Sequence, residues 1–134
     1  MTKKELAKEL RAKNYNCAQA VACAFAEEAG VDMATMLKVS EGFGAGCGNM
    51  EGFCGALSGA IMVASFIKSD GNTEAPKTKA TTYKYTKEMM AKFEEKTGGL
   101  VCKVLKGTET GKMLCSCPDC IMAGVEVTEE VLGH

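Results

Sequence analysis

The sequence predicts an all-α fold, a single-domain bundle of about five to seven helices over residues 1–134, with a glycine-rich loop before the helix that opens at Cys54. Three observations carry that expectation. Apolar residues recur at helical spacing, capping residues and glycines punctuate the segments, and no run of four to eight residues alternates convincingly. With 134 residues the chain has one domain's length. At that size it buries roughly two thirds of its unfolded surface, enough for a core without staples.

The elements follow in order. Thr2 to Ala12 reads as a short helix: Thr2 caps it, Glu5 sits three residues on, and Leu6 and Leu10 share a face. Asn14 to Ala29 reads as a second helix, rich in Ala, with Gly30 at its C-terminal cap. Asp32 caps a third running to about Val39. The stretch from Gly42 to Gly52 holds five glycines between Gly42 and Gly48 and at Gly52, which end any helix and favour unusual backbone angles. From Cys54 to Ile67 the pattern is helical again, and Gly55, Ala56, Ser58, Gly59 and Ala60 let another helix pack closely. Asp70-Gly71-Asn72 is a turn. Pro76 fits the first turn of a long helix to about Lys96, ended by Gly98-Gly99. Leu100 to Leu105 is a short helix, Thr108 to Cys117 a loop, and Pro118 to Leu132 a last, weaker helix. Within it, Val125 to Thr128 competes as a short strand.

Composition excludes several function classes. A formal net charge of −1 leaves no electrostatic footprint for nucleic acid or anionic lipid. With no Trp, five Phe and three Tyr, base-stacking platforms are not expected. Lys3 and Lys4 look like a signal-peptide start, but Glu5, Lys8, Glu9 and Arg11 break any apolar run. The most apolar stretch, Ala60 to Ile67, is too short to cross a bilayer. The expectation is a cytoplasmic protein without membrane insertion.

In that setting the eight cysteines (17, 23, 47, 54, 102, 115, 117 and 120) point to metal binding or redox chemistry more than to structural disulfides. Other chemistries are weaker. The glycine-rich loop has no Gly-x-Gly-x-x-Gly in register and no following Gly-Lys-Ser/Thr, so it reads as close backbone packing around a site and not as a phosphate loop. His134 is the only histidine and the last residue, which rules against a triad or a zinc protease. Cys117-x-x-Cys120 has the spacing of a redox dithiol or half a metal site, but the alternating strands and helices of a thioredoxin-like fold are missing.

Position is the stronger signal. Cys17, Cys54, Cys102 and Cys117 each fall at an expected helix start. Free N–H groups and the positive end of the helix dipole favour thiolate over thiol there, the form a ligand or nucleophile needs. Cys23 is the contrast, placed mid-helix among Val21, Ala22 and Ala24, and reads as core.

The segment Cys54-Gly55-Ala56-Leu57-Ser58-Gly59 matches Cys-Gly-Ala-x-x-Gly. It follows Tyr15-Asn16-Cys17-Ala18-Gln19-Ala20 and precedes Cys102 and Cys117-Pro118. In this order and spacing the chain resembles the redox-active protein family named for its C-GCAxxG-C-C cysteine pattern, over nearly its whole length. The resemblance implies four characteristic cysteines, carried here by Cys17, Cys54, Cys102 and Cys117. The chain is also similar to the iron–sulfur portion of the split-Soret cytochromes, which implies cluster binding. No Cys-x-x-Cys-His is present, so covalently attached haem is not implied. Cys115 and Cys120 are auxiliary candidates for the fourth position.

Three functions stay open at this point. The leading expectation is an iron–sulfur cluster on Cys17, Cys54, Cys102 and Cys117, for electron transfer or redox sensing, with Gly55 and Gly59 allowing close backbone packing at the site. The second is thiol–disulfide exchange by Cys117 with Cys120, or by Cys54 with a partner. The third is a structural zinc or helical interaction module, since Cys ligands alone do not separate zinc from iron–sulfur. A redox partner protein is expected, and assembly of the chain with itself stays open.

Overall fold

The computed structural model describes residues 1–134. It contains eight α-helices and no named strand: α1 (Lys3–Ala12), α2 (Cys17–Ala24), α3 (Ala26–Ala29), α4 (Met33–Glu41), α5 (Gly55–Lys68), α6 (Lys79–Thr97), α7 (Cys102–Lys106) and α8 (Cys117–Leu132). A π-helical turn spans Gly46–Met50. No helix is long and apolar enough to cross a membrane.

The helices begin where side chains satisfy their free N–H groups. Thr2 and Glu5 form a capping box on α1, Asn16 and Gln19 another on α2, and Asp32 caps α4. Gly30 and Gly98 close α3 and α6 in left-handed conformation.

α2 is the centre of the bundle. Every residue from Ala18 to Ala24 is buried, and α1, α4, α5 and α8 pack around it. Its small side chains let backbones meet. A Cβ on Gly59 of α5 would lie 2.6 Å from the Ala18 carbonyl oxygen, and one on Gly124 of α8 would lie 2.9 Å from that of Ala56. Large side chains fill the space beyond this seam, with Phe25, Met36, Leu57, Met89, Phe93, Leu105 and Ile121 in one cluster of 25 buried residues.

Two expectations need correction. The helix expected over 14–29 is two helices, α2 and α3, which brings the total to eight. Fully buried Phe25 leaves helical angles (φ −110°, ψ 16°), ending α2 and turning α3 onto α5. Pro76 lies outside α6, which starts at Lys79. Ahead of it the Asn72 side chain accepts from the N–H groups of Glu74 and Ala75, both at 3.1 Å, and this Asx turn competes with helix. The last helix is as expected, and the competing strand over Val125 to Thr128 is not formed: that stretch is helical, with the Thr128 hydroxyl donating back to the Gly124 carbonyl at 2.8 Å.

Candidate functional site

Four segments distant in sequence deliver the four helix-start cysteines. Cys17 opens α2, directly after Asn16. The Asn16 side chain accepts from Gln19 N–H at 2.9 Å and donates to the Glu41 carbonyl at 2.9 Å, so one residue caps α2 and ties it to the end of α4. Gly44 lies against that side chain so closely that a Cβ there would collide with it.

Cys54 and Cys102 are delivered as a pair. Phe53 and Val101 form an isolated antiparallel bridge. On either side of it the Cys54 N–H donates to the Leu100 carbonyl at 2.7 Å and the Cys102 N–H donates to the Gly52 carbonyl at 3.0 Å. Alternation along extended backbone turns Phe53 and Val101 to one face and both cysteines to the other. Each chain then enters a helix, Cys54 as the N-cap of α5 and Cys102 as the first residue of α7. Cys117 opens α8 behind Ser116, whose hydroxyl accepts from the Asp119 N–H at 3.3 Å, with Pro118 in the first turn.

All four line one cavity of about 350 Å³, and Cys120 lines it with them. Cys54, Cys102 and Cys120 are buried, while Cys17 and Cys117 are half-buried. Asn16, Ala45, Met50 and Gly55 complete the wall, and Arg11 and Lys106 are its only charged side chains. No three His, Cys, Asp or Glu side chains are grouped tightly enough for a single ion. The sulfurs surround a space.

Electrostatics differ from sulfur to sulfur. A hydrogen bond from the Cys120 thiol, the N–H groups of Ala56 and Leu57, and the Lys106 ammonium pull the Cys54 thiol down to about 6 against its burial. Cys120 moves the opposite way, because it keeps the proton that Cys54 gives up and is itself buried. Burial pushes Cys17 up, as do Cys54 and Cys117, and the N–H groups of Ala45 and Ala18 pull against them. Cys102 is raised by burial and by the Cys54 charge. Bringing thiols together thus makes one thiolate easy and further ones hard, unless a cation joins them.

The wall around Cys17 and Cys102 is glycine and strained backbone. A Cβ on Gly55 would collide with the Cys17 sulfur, and one on Gly46 would lie 2.6 Å from the Cys102 Cβ. In the π-turn region Gly46 and Gly48 have positive φ, as the glycine run suggests, but so do Ala45 (φ 51°), Cys47 (φ 63°) and Met50 (φ 67°). Side-chain-bearing residues rarely adopt that region, and such strain gathers at functional sites.

The other candidates lie elsewhere. Cys115 does not line the cavity but adjoins it through Cys120, whose thiol donates to the Cys115 carbonyl at 3.8 Å and interacts with the Cys115 thiol. Cys47 is exposed on the π-turn. Cys23 is in the core, with its thiol raised by burial to about 11. Gly59 packs α5 on α2 one turn beyond the site. Sequence reasoning missed Lys106 and Arg11, for a lysine ending a short helix gives no sign of pointing inward. A larger groove of about 750 Å³ runs along α5 between Phe43, Phe53 and Phe66, but it carries no cysteine and no titratable side chain.

The fold is thus an all-α bundle with five cysteines around one cavity. The chain belongs to the family described as "Putative redox-active protein (C_GCAxxG_C_C)", whose pattern matches residues 15–131. In this chain the central pair reads Cys54-Gly55, the reverse of the order in that label. No curated protein and no solved structure matches the chain.

Proposed function

We propose that this redox-active protein holds an iron–sulfur cluster on Cys17, Cys54, Cys102 and Cys117 and uses it for electron transfer or redox sensing with a partner protein. The observation that carries the reading is the shared cavity, in which four helix-start thiols up to 100 residues apart in sequence meet without a carboxylate or histidine. The donor set suits such a group. Soft thiolates select iron–sulfur or zinc, and sulfurs placed around a space of about 350 Å³ suit a bridged cluster better than one ion, which needs every sulfur at about 2.3 Å from a point. When bound, the cluster supplies one-electron storage.

The chain's own residues do the rest. Cys54 and Cys102, set side by side by the Phe53–Val101 bridge, provide two buried ligand positions. The N–H groups at the start of α5 stabilise the Cys54 thiolate, and the Ala45 N–H serves Cys17. Hydrogen bonds to sulfur and exclusion of water are the levers that set potential in such sites. Anaerobic purification followed by absorption spectroscopy and metal and sulfide analysis tests the reading. Brown protein containing iron and acid-labile sulfide supports it, and colourless protein with zinc alone rejects it.

One observation favours a second reading. Cys54 and Cys120 sit in contact, the first poised as thiolate and the second as thiol. That arrangement suits a dithiol that yields two electrons and two protons to a substrate disulfide, closing an S–S bond between Cys54 and Cys120 and releasing two thiols. Metal-free protein with a reversible Cys54–Cys120 disulfide favours this reading over the cluster.

A further inference from the structure

The two charged side chains of the cysteine cavity are placed very differently. Arg11 is exposed, and its guanidinium donates to the Tyr15 carbonyl at 3.4 Å. Lys106, the last residue of α7, buries its Nζ without a hydrogen-bond partner. The contrast within α7 is sharper. Lys103, one turn earlier, reaches Glu51 at 2.9 Å and Glu109 at 3.1 Å across the surface. Lys106 has no carboxylate to reach, because none lines the cavity. Burial works against its charge, but the sulfurs of Cys117, Cys120 and Cys54 outweigh it and hold the ammonium above its ordinary value.

A buried ammonium is strongly disfavoured unless electron-rich groups face it, and here only sulfurs do. A chain that keeps one beside a set of thiols has a use for it when the cavity is filled. We propose that Lys106 is a positioning residue of this site: its ammonium, facing Cys54, Cys117 and Cys120, donates to the sulfur face of an anionic cluster and balances the charge of its ligands. The inference rests on the cluster reading above. Four thiolates bring four negative charges, more than the cluster iron and sulfide neutralise, and a nearby cation favours the more negative state of the buried complex. A donor and a positive charge at sulfur favour the reduced, more negative state over the oxidised one. Lys106 therefore holds the potential up, and it does so without being a ligand.

The test compares Lys106→Met and Lys106→Arg with the parent chain, both cluster-free and reconstituted. In reduced, cluster-free protein, Lys106→Met melts close to the parent temperature, because the Lys106 ammonium makes no hydrogen bond there. A drop as large as that of a core truncation shows a structural lysine and overturns the proposal. In reconstituted protein, iron and sulfide content stay near parental in both variants. The midpoint potential, read by spectroelectrochemical titration, shifts lower in Lys106→Met and returns toward the parent in Lys106→Arg, which keeps the charge. An unchanged potential in Lys106→Met, with the cluster present, overturns the role of Lys106 and leaves the cluster reading intact. A parent chain that takes up no iron and sulfide rejects the cluster reading itself, and this inference with it.

Discussion

Gly55 and Cys17 share one space: a Cβ on Gly55 would fall on the Cys17 sulfur, and it would also lie 3.1 Å from the Phe43 carbonyl oxygen and 3.2 Å from the Ala18 N–H nitrogen. The glycine after Cys54 is therefore what admits the sulfur of Cys17 to the same cavity. Gly55→Ala should keep all four ligands and still lose most of its iron and sulfide. Parental cluster content in that variant would show that Cys17 reaches the site without the glycine.

Gly59 makes the same argument one turn along, for packing and not for the site. Its missing Cβ lets α5 rest on the Ala18 carbonyl of α2. Gly59→Ala should destabilise the fold by about 1–3 kcal/mol, the usual range for overpacking, measured as a lower urea midpoint in cluster-free protein. A parental midpoint would mean that the helices separate at no cost.

Helix starts were legible because their signals are local. Asn16 with Gln19, Asp32, Ser116 with Pro118 and the glycines after helices each act within a few residues, so Cys17, Cys102 and Cys117 could be placed near helix starts from the sequence, although the expected starts at Asn14, Leu100 and Pro118 differ from the observed ones by up to three residues. What the sequence hid was non-local. The Phe53–Val101 bridge joins single residues 48 apart, too short to leave an alternating pattern. Phe25 breaks a helix-favouring run because the core holds its ring. Lys106 is turned inward by the ending of α7, whereas Lys103 on the same helix stays on the surface.

The cysteines should sort by place. Cys23, buried in the core away from the cavity, should tolerate Cys23→Ser with parental iron content and a stability loss of roughly 1–3 kcal/mol for the buried hydroxyl. Cys115→Ser should also keep its iron, since Cys115 is outside the cavity. Iron loss in either variant, with folding preserved by circular dichroism, would redraw the ligand set.

Stability of the reduced, cluster-free protein should depend on pH through Cys54. Its folded-state value of about 6 lies below the ordinary thiol value of roughly 8.5. Between these values the unfolded chain binds more protons, so stability rises with pH across the window. The contribution is fully present above the unfolded value and is lost as pH falls through about 6. Urea midpoints should climb from pH 6 to 8, and the climb should flatten in Cys54→Ala and shrink in Cys120→Ala, which removes the thiol donor. A profile that neither variant alters would contradict the Cys54–Cys120 hydrogen bond.

The central claim is that Cys17, Cys54, Cys102 and Cys117 together hold one iron–sulfur cluster. Iron and acid-labile sulfide per chain, measured after anaerobic reconstitution of the parent and of the four single Cys→Ser variants, test it most directly. The account predicts a brown parent protein with iron and sulfide in comparable amounts, and a marked loss of both in each of the four variants. Colourless parent protein without sulfide, or undiminished content in all four variants, would contradict it.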